Sequence, residues 1–152
     1  MSSPRTTWSL GSVPDLTPIP TPDQSSNVLR CDLPVTNEAG QAAREQLKRH
    51  FATWLTETGR DNAELVLTEL IANAVAASIG AEAILLTARV TAGQLLIEVF
   101  DESPGVPCPR LTDDFAEDAR GLLLVDALST AWGWHPAPGG KVVWALPKAG
   151  AA

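Results

Sequence analysis

Residues 64–75 read ELVLTELIANAV, and this stretch decides how the chain folds. Its apolar residues, among them Leu67 and Ile71, recur every three or four positions, which predicts an amphipathic helix with one buried stripe. Glu69 and Asn73 lie four residues apart beside that stripe, so they project from the same face. An amide oxygen can bind Mg²⁺, and a carboxylate can orient or deprotonate a nucleophile. Ordinary amphipathic helices also show this spacing, so the pair alone does not identify a site.

The elements on both sides of this helix predict an α+β fold. Before it, the sequence predicts a strand over 27–33 and a helix over 36–57 that Gly59 ends, and Asp61 then caps the helix containing residues 64–75. After it, alternating apolar residues predict two strands, 83–91 and 94–101, that turn at Ala92–Gly93. A short helix over 120–128 and a second pair of strands, 131–135 and 141–146, follow. This order predicts a two-layer sandwich with the helices on one face of a mixed, largely antiparallel sheet.

The first 27 residues differ in composition from the rest of the chain. They contain five prolines among many Ser and Thr residues, and such a segment cannot bury enough apolar surface to offset the entropy of ordering it. We therefore expect a flexible tail over 1–27, one folded domain over 28–148 and a short tail over 149–152. A chain of 152 residues is long enough to build one substantial core.

Composition argues against several classes of function. The net charge is -7 and no cluster of basic residues occurs, so direct binding to nucleic acid is not expected. Cys31 and Cys108 are far apart and neither belongs to a CxxC pair, so a zinc site is not expected. No apolar stretch is long enough to span a membrane, and the N-terminus lacks the apolar core of a signal peptide. These features predict a cytoplasmic protein.

Two further stretches place functional residue types at the ends of elements. Asp101 ends a predicted strand before a turn with Gly105; its carboxylate can accept a hydrogen bond from an exocyclic amine, and the glycine lets the backbone approach a flat ring. Arg120 and Gly121 begin the short helix, where free backbone N–H groups, the helix dipole and the Arg charge attract phosphate. Each stretch by itself is equally an ordinary turn or helix start.

Taken in order, these stretches resemble a known family. Glu69-x-x-x-Asn73 resembles the N-box of the ATPase superfamily shared by gyrase, histidine kinases, the large heat-shock chaperones and mismatch-repair ATPases. The segment from Asp101 to Gly105 resembles its first glycine box, and residues 119–122, ARGL, resemble the second. The short connection between the boxes and the end of the chain are most similar to the anti-sigma regulatory factors, also called serine-protein kinases, of the actinobacterial type. The resemblance covers about residues 28–147.

The resemblance implies a histidine kinase-like ATPase fold with ATP and Mg²⁺ as cofactors. It makes Glu69 the catalytic carboxylate and Asn73 the magnesium ligand, while Asp101 would bind the amino group of adenine and Gly105 would line the base pocket. The residues that would close around the phosphates are Arg120, Gly121 and Leu122. A sigma factor and an anti-sigma antagonist protein are the partners that it implies, and proteins of this branch commonly form homodimers.

Three positions depart from the family pattern and leave two functions open. Ala77, Ala119 and Lys141 stand where the family often has His, Gly and Thr. The methyl group of Ala119 lies where the backbone should approach phosphate closely. The first function is an ATP-dependent kinase that binds a sigma factor and phosphorylates a Ser or Thr of the antagonist. The second is a partner-binding module without catalysis, with nucleotide as a conformational ligand or absent, and the departures favour it.

Overall fold

The computed structural model describes residues 28–52, 56–78, 83–103 and 115–149, without the side chains of 115–120. The predicted N-terminal tail lies outside these residues. In chain order the elements are β1 (Leu29–Leu33), α1 (Ala39–His50), α2 (Glu57–Ala77), β2 (Ile84–Thr91), β3 (Gln94–Asp101), α3 (Phe115–Leu128), β4 (Ser129–Ala137) and β5 (Gly140–Pro147).

The five strands form one sheet in the order β1-β2-β3-β5-β4, and every neighbouring pair is antiparallel. Alternate strand residues such as Val99 and Ala145 are buried in one cluster with Leu67 and Leu70 of α2 and Val125 of α3. The helices therefore cover one face of the sheet, which confirms the predicted two-layer α+β sandwich. The prediction allowed for a mixed sheet, whereas all pairings among the described strands are antiparallel. Hairpins join β2 to β3 and β4 to β5, and the pairs β1 with β2 and β3 with β5, which are not hairpins, are antiparallel as well.

The turn between β2 and β3 lies at Ala92 and Gly93, as the sequence predicts. Both residues have positive φ, 52° at Ala92 and 78° at Gly93, which is the backbone that a two-residue hairpin loop needs. Glycine adopts this conformation freely, but the Cβ of an alanine opposes it. The hairpin therefore forms with local strain at Ala92.

The start of α2 differs from the prediction. The Oγ1 atom of Thr56 accepts a hydrogen bond from the backbone N–H of Gly59 at 2.9 Å, so Thr56 is the N-cap and Gly59 lies in the first turn. The predictions that Gly59 ends α1 and that Asp61 caps α2 are wrong. A Cβ on Gly59 would lie 2.6 Å from the carbonyl oxygen of Ala149. Glycine is therefore needed because the end of the chain passes against α2, at a residue that the sequence assigned to the C-terminal tail.

Candidate functional site

Glu69 and Asn73 lie on one side of α2, next to the stripe that packs against the sheet. Both side chains are half-buried. The buried residues of the stripe near them are Val66, Leu67, Leu70, Ile71 and Ala74. The pair therefore borders the core without entering it, which leaves a carboxylate and an amide partly accessible on the same helix face. This confirms the shared face that their spacing predicts.

α3 packs against α2 so that Gly121 lies beside the side chain of Glu69. A Cβ on Gly121 would lie 2.6 Å from Oε1 of Glu69, a distance at which one of the two groups would have to move. The glycine therefore lets the carboxylate lie directly against the backbone of α3. This contact brings together the predicted helix pair and the second glycine-containing stretch, which are far apart in sequence.

The predicted start of α3 is wrong, and the chemical reasoning about Gly121 changes with it. The helix begins at Phe115 rather than at about Arg120, because residues 115–120, FAEDAR, are compatible with a helix. Gly121 is thus inside the helix, where backbone N–H groups bond to carbonyls four residues earlier. The free N–H groups that a helix start would offer to phosphate are not located at Gly121.

The structure describes only some of the other residues predicted to surround the phosphates and the base. Leu122 is 6 % exposed and belongs to the hydrophobic core, so only its backbone is available to a ligand. The side chain of Arg120 and the whole of Gly105 lie outside the described residues. Phosphate contacts from Arg120, Gly121 and Leu122, and a base pocket lined by Gly105, stay predictions.

Asp101 is the last residue of β3 and is almost completely buried. It follows Ile97 and Val99 on the sheet face that the helices cover. The carboxylate is 1 % exposed, and its Oδ1 atom accepts hydrogen bonds from the backbone N–H of Ser103 at 2.8 Å and from Nζ of Lys141 at 2.9 Å. Asp101 is therefore fixed in place on the helix-covered side of the sheet, the side where Glu69 and Asn73 lie.

Lys141 lies directly opposite Asp101 in the register of β3 and β5 and is itself only 3 % exposed. The two side chains form an ion pair away from water, where charges attract more strongly than at the surface. Sequence reasoning noted Lys141 as a departure and did not foresee this pairing. The strand register was the missing information, because it joins residues forty positions apart.

Gly140 explains how the two strands come close enough for this pair. A Cβ on Gly140 would overlap the carbonyl oxygen of Asp101 and would lie 2.8 Å from the Cα of Glu102. Only glycine lets β5 begin against the backbone of the turn after Asp101. The glycine thereby sets the position of Lys141 relative to the carboxylate.

The residues present fit a magnesium ion that is held together with phosphates. No group of three or more His, Cys, Asp or Glu residues that could hold a metal occurs in the described part of the chain. Mg²⁺ commonly takes one or two protein ligands and completes its shell with substrate phosphates and water. The half-buried amide of Asn73 suits that role.

No helix in the described ranges is long and apolar enough to cross a membrane.

Cys31 on β1 does not add a reactive group to the site. Its burial, and then the charge of Asp32, raise the pKa of the thiol. A raised pKa lowers the fraction of thiolate, which is the nucleophilic and metal-binding form. Cys108, the other cysteine, lies outside the described residues.

The chain is similar in sequence and in fold to known proteins. Residues 33–146, which are more than half of the chain, match the histidine kinase-like ATPase domain family. The matched range contains α2, β3, α3 and the start of β5, and so every residue of the candidate site. No curated protein matches the chain. Among solved structures, the Acinetobacter baumannii histidine kinase AdeS is similar at 16 % identity and a TM-score of 0.46, covering 81 % of this chain and 68 % of that chain.

Proposed function

The chain belongs to the histidine kinase-like ATPase domain family, and from this membership we propose that it binds ATP with Mg²⁺ and acts as an anti-sigma regulatory factor that phosphorylates a Ser or Thr of an antagonist protein. Family membership supports the binding of nucleotide, and the kinase activity and the partners go further than the family alone. The single observation that carries it is the contact of Glu69 with Gly121, one helical turn from Asn73 on α2.

Asn73 and Glu69 take different roles in this proposal. Asn73 would hold Mg²⁺ through its amide oxygen, and the bound ion would neutralise charge on the phosphates. Glu69 orients the attacking hydroxyl and accepts its proton. The hydroxyl oxygen bonds to the γ-phosphorus, the bond from that phosphorus to the β–γ bridging oxygen breaks, and ADP leaves. Phosphoryl transfer needs little else from the protein than positioning and charge.

Binding is tested first, by calorimetry of the full chain with ATP and Mg²⁺. Asn73→Ala is expected to weaken binding about tenfold or more when Mg²⁺ is present and to have little effect when EDTA replaces it. Asn62→Ala is the matched control, because Asn62 is also on α2 but donates to the carbonyl of Lys148 at 3.1 Å. Equal losses in both variants would argue against a magnesium ligand at Asn73.

Transfer is tested next, with labelled ATP and an antagonist captured from the source cells by pull-down with and without ATP. Glu69→Gln is expected to lower transfer by about 100-fold or more while ATP binding stays near the wild-type value. Glu64→Gln is the control, because Glu64 is half-buried on the same helix and lies outside the candidate site. Transfer that is unchanged by Glu69→Gln would contradict the catalytic role.

A second candidate function is a partner-binding module without kinase activity. The observation that favours it is the internal ion pair of Asp101 with Lys141, together with Ala119 in the second glycine-containing stretch. A module of this kind would capture the same partners, with ATP as a conformational ligand or not at all. Capture of a sigma factor by Glu69→Gln as well as by the wild type, with no labelled product from either, would favour the module over the kinase.

The proposal also includes a homodimer in the cytoplasm, since this branch commonly forms dimers and sigma factors act there. Sedimentation of the full chain with and without ATP and Mg²⁺ tests the assembly. A dimer at micromolar concentration is expected. A monomer under both conditions would remove the dimer from the proposal and leave the nucleotide site unaffected.

A further inference from the structure

The ion pair of Asp101 and Lys141 uses one oxygen of the carboxylate. In the described part of the chain, Lys141 and the backbone of Ser103 both donate to Oδ1. A carboxylate has two oxygens with about four acceptor positions, and these two bonds occupy positions on Oδ1 alone. The carboxylate therefore has an internal partner and keeps the capacity to accept a further hydrogen bond.

Stability alone does not account for a lysine at this position. Lysine is rarely almost fully buried, and a buried ion pair gives a fold little or no advantage over apolar residues of similar volume. Removing only one partner is different, because the other charge is then left buried without a counter-charge. Lys141 thus keeps satisfied a carboxylate that would otherwise require a donor from elsewhere.

We propose that Lys141 lowers the affinity of the site for a nucleotide whose base carries an amine. Its ammonium group already pairs with the Asp101 carboxylate, to which the exocyclic amine of the base would donate. The inference rests on nucleotide binding as proposed above. The ammonium of Lys141 adds the attraction of an ion pair to its hydrogen bond with the carboxylate, whereas a neutral amine donates a hydrogen bond alone. The base amine therefore does not displace Lys141 and gains only a contact with a carboxylate that is already neutralised.

Removing the ammonium reverses this relation. Without Lys141 the free protein holds a buried carboxylate that lacks its main partner, and a bound nucleotide supplies the missing donor. Part of the stability that the substitution removes from the free protein then returns as affinity for a base that carries an amine. A base without an amine cannot give this return, which separates the proposed role from a general loosening of the fold.

The test measures binding of two nucleotides to the full chain in the presence of Mg²⁺. The probes are ATP and purine riboside triphosphate, which has hydrogen in place of the exocyclic amine. Lys141→Met is expected to bind ATP about tenfold or more tightly than the wild type, in line with the penalty for an unsatisfied buried group. Its affinity for purine riboside triphosphate is expected to stay within about twofold of the wild type.

Two further variants keep the test decisive. Lys141→Thr removes the ammonium but keeps a hydroxyl that can donate to Asp101. It is expected to gain less affinity for ATP than Lys141→Met does, with no gain for purine riboside triphosphate, and it carries the comparison if circular dichroism shows that the methionine variant does not fold. Lys148→Met removes the same charge from an exposed position just after β5 and is expected to bind both nucleotides as the wild type does. ATP binding that is seen only in the Lys141 variants also supports the inference.

The outcomes separate this inference from the proposed function. Wild-type binding of ATP with no gain in either Lys141 variant, or an equal gain for both nucleotides, would overturn the role of Lys141 and leave the proposed function standing. No binding of either nucleotide to the wild type or to any variant at millimolar concentration would overturn the proposed function, and the inference with it.

Discussion

The carboxylate of Glu69 lies against the backbone of Gly121, so close that a Cβ on the glycine would be 2.6 Å from Oε1. Glu69 is on α2 and Gly121 is on α3, and the two helices run antiparallel. Lys148 joins the end of α3 to the start of α2, because its backbone N–H donates to the carbonyl of Leu128 and its carbonyl accepts from the side chain of Asn62. Glycine at this position therefore has a steric explanation that is independent of any phosphate. It sets the place of the carboxylate relative to α3.

Gly121→Ala is expected to separate activity from stability. The added methyl displaces Glu69, whose side chain is flexible at its far end, and a misplacement of about 1 Å can lower a rate by about 100-fold. The free energy of unfolding is expected to stay within about 1 kcal/mol of the wild type. Alanine favours the helix by about that amount, which offsets the cost of displacing the Glu69 side chain. Transfer of labelled phosphate and thermal unfolding measure the two effects.

Gly40→Ala is the control for this substitution. Gly40 is also helical, on α1, and a Cβ there would be 3.4 Å from Nη1 of Arg44, an ordinary contact. The free energy of unfolding is expected to rise by up to about 1 kcal/mol with transfer unchanged. Equal activity of the two alanine variants would show that the contact of Glu69 with Gly121 has no part in the function.

The parts of the fold that depend on local pattern could be predicted from the sequence. The alternation in 94–101 gave both ends of β3, and the apolar spacing of α2 placed Glu69 and Asn73 on one face. The errors occur where distant residues decide. Gly59 was interpreted as a helix end. A glycine is needed there because the carbonyl of Ala149 packs against it, and no local pattern shows a contact with a residue ninety positions later.

The ion pair in the site shows the same limit. Asp101 was identified from its place at a strand end, but its partner depends on the register of β3 with β5, which no local pattern contains. The predicted start of α3 was also wrong. Gly121 was interpreted as the beginning of the helix, whereas it lies inside α3, where its lack of a side chain makes room for the carboxylate of Glu69. Local periodicity therefore located the residues, and nonlocal packing set what each one contacts.

Ala92→Gly is expected to stabilise the protein. Ala92 has a φ of 52°, a conformation that an alanine adopts at a cost of about 1–2 kcal/mol and that glycine adopts freely. Glycine also makes the unfolded chain more flexible, which offsets part of the gain. The expected net increase in the free energy of unfolding is about 0.5–1 kcal/mol, measured by urea denaturation. A decrease would show that the turn does not hold this backbone.

Cys31 is expected to react slowly with thiol reagents. Burial, followed by the charge of Asp32, raises the pKa of its thiol, so less thiolate is present at any pH below that pKa. The reaction with a disulfide reagent, followed in a Cys108→Ser background, should reach half of its maximal rate at a higher pH than a cysteine in a short unfolded peptide does. A midpoint at or below that of the peptide would contradict the raised pKa.

The same shift predicts how stability depends on alkaline pH. The folded-state pKa of Cys31 lies above the unfolded value, so the unfolded chain releases its proton first as the pH rises. The stabilising contribution is complete below the unfolded pKa and is lost as the pH rises from that value to the folded one. Replacing Cys31 with Ser should therefore remove part of the alkaline loss of stability, measured by urea denaturation across that range.

Lys141→Met is expected to destabilise the free protein strongly. The substitution leaves the carboxylate of Asp101 buried and without its counter-charge, which typically costs about 3–5 kcal/mol. Arg89→Met is the matched control, because Arg89 pairs with Glu98 at 3.6 Å with both side chains more than a fifth exposed, and such a pair contributes less than about 1 kcal/mol. Adding Asp101→Asn to Lys141→Met removes the unpaired charge, so the double variant should be more stable than Lys141→Met alone. Urea denaturation measures all four proteins, and similar losses from Arg89→Met and Lys141→Met would mean that the pair at the end of β3 is not held away from water.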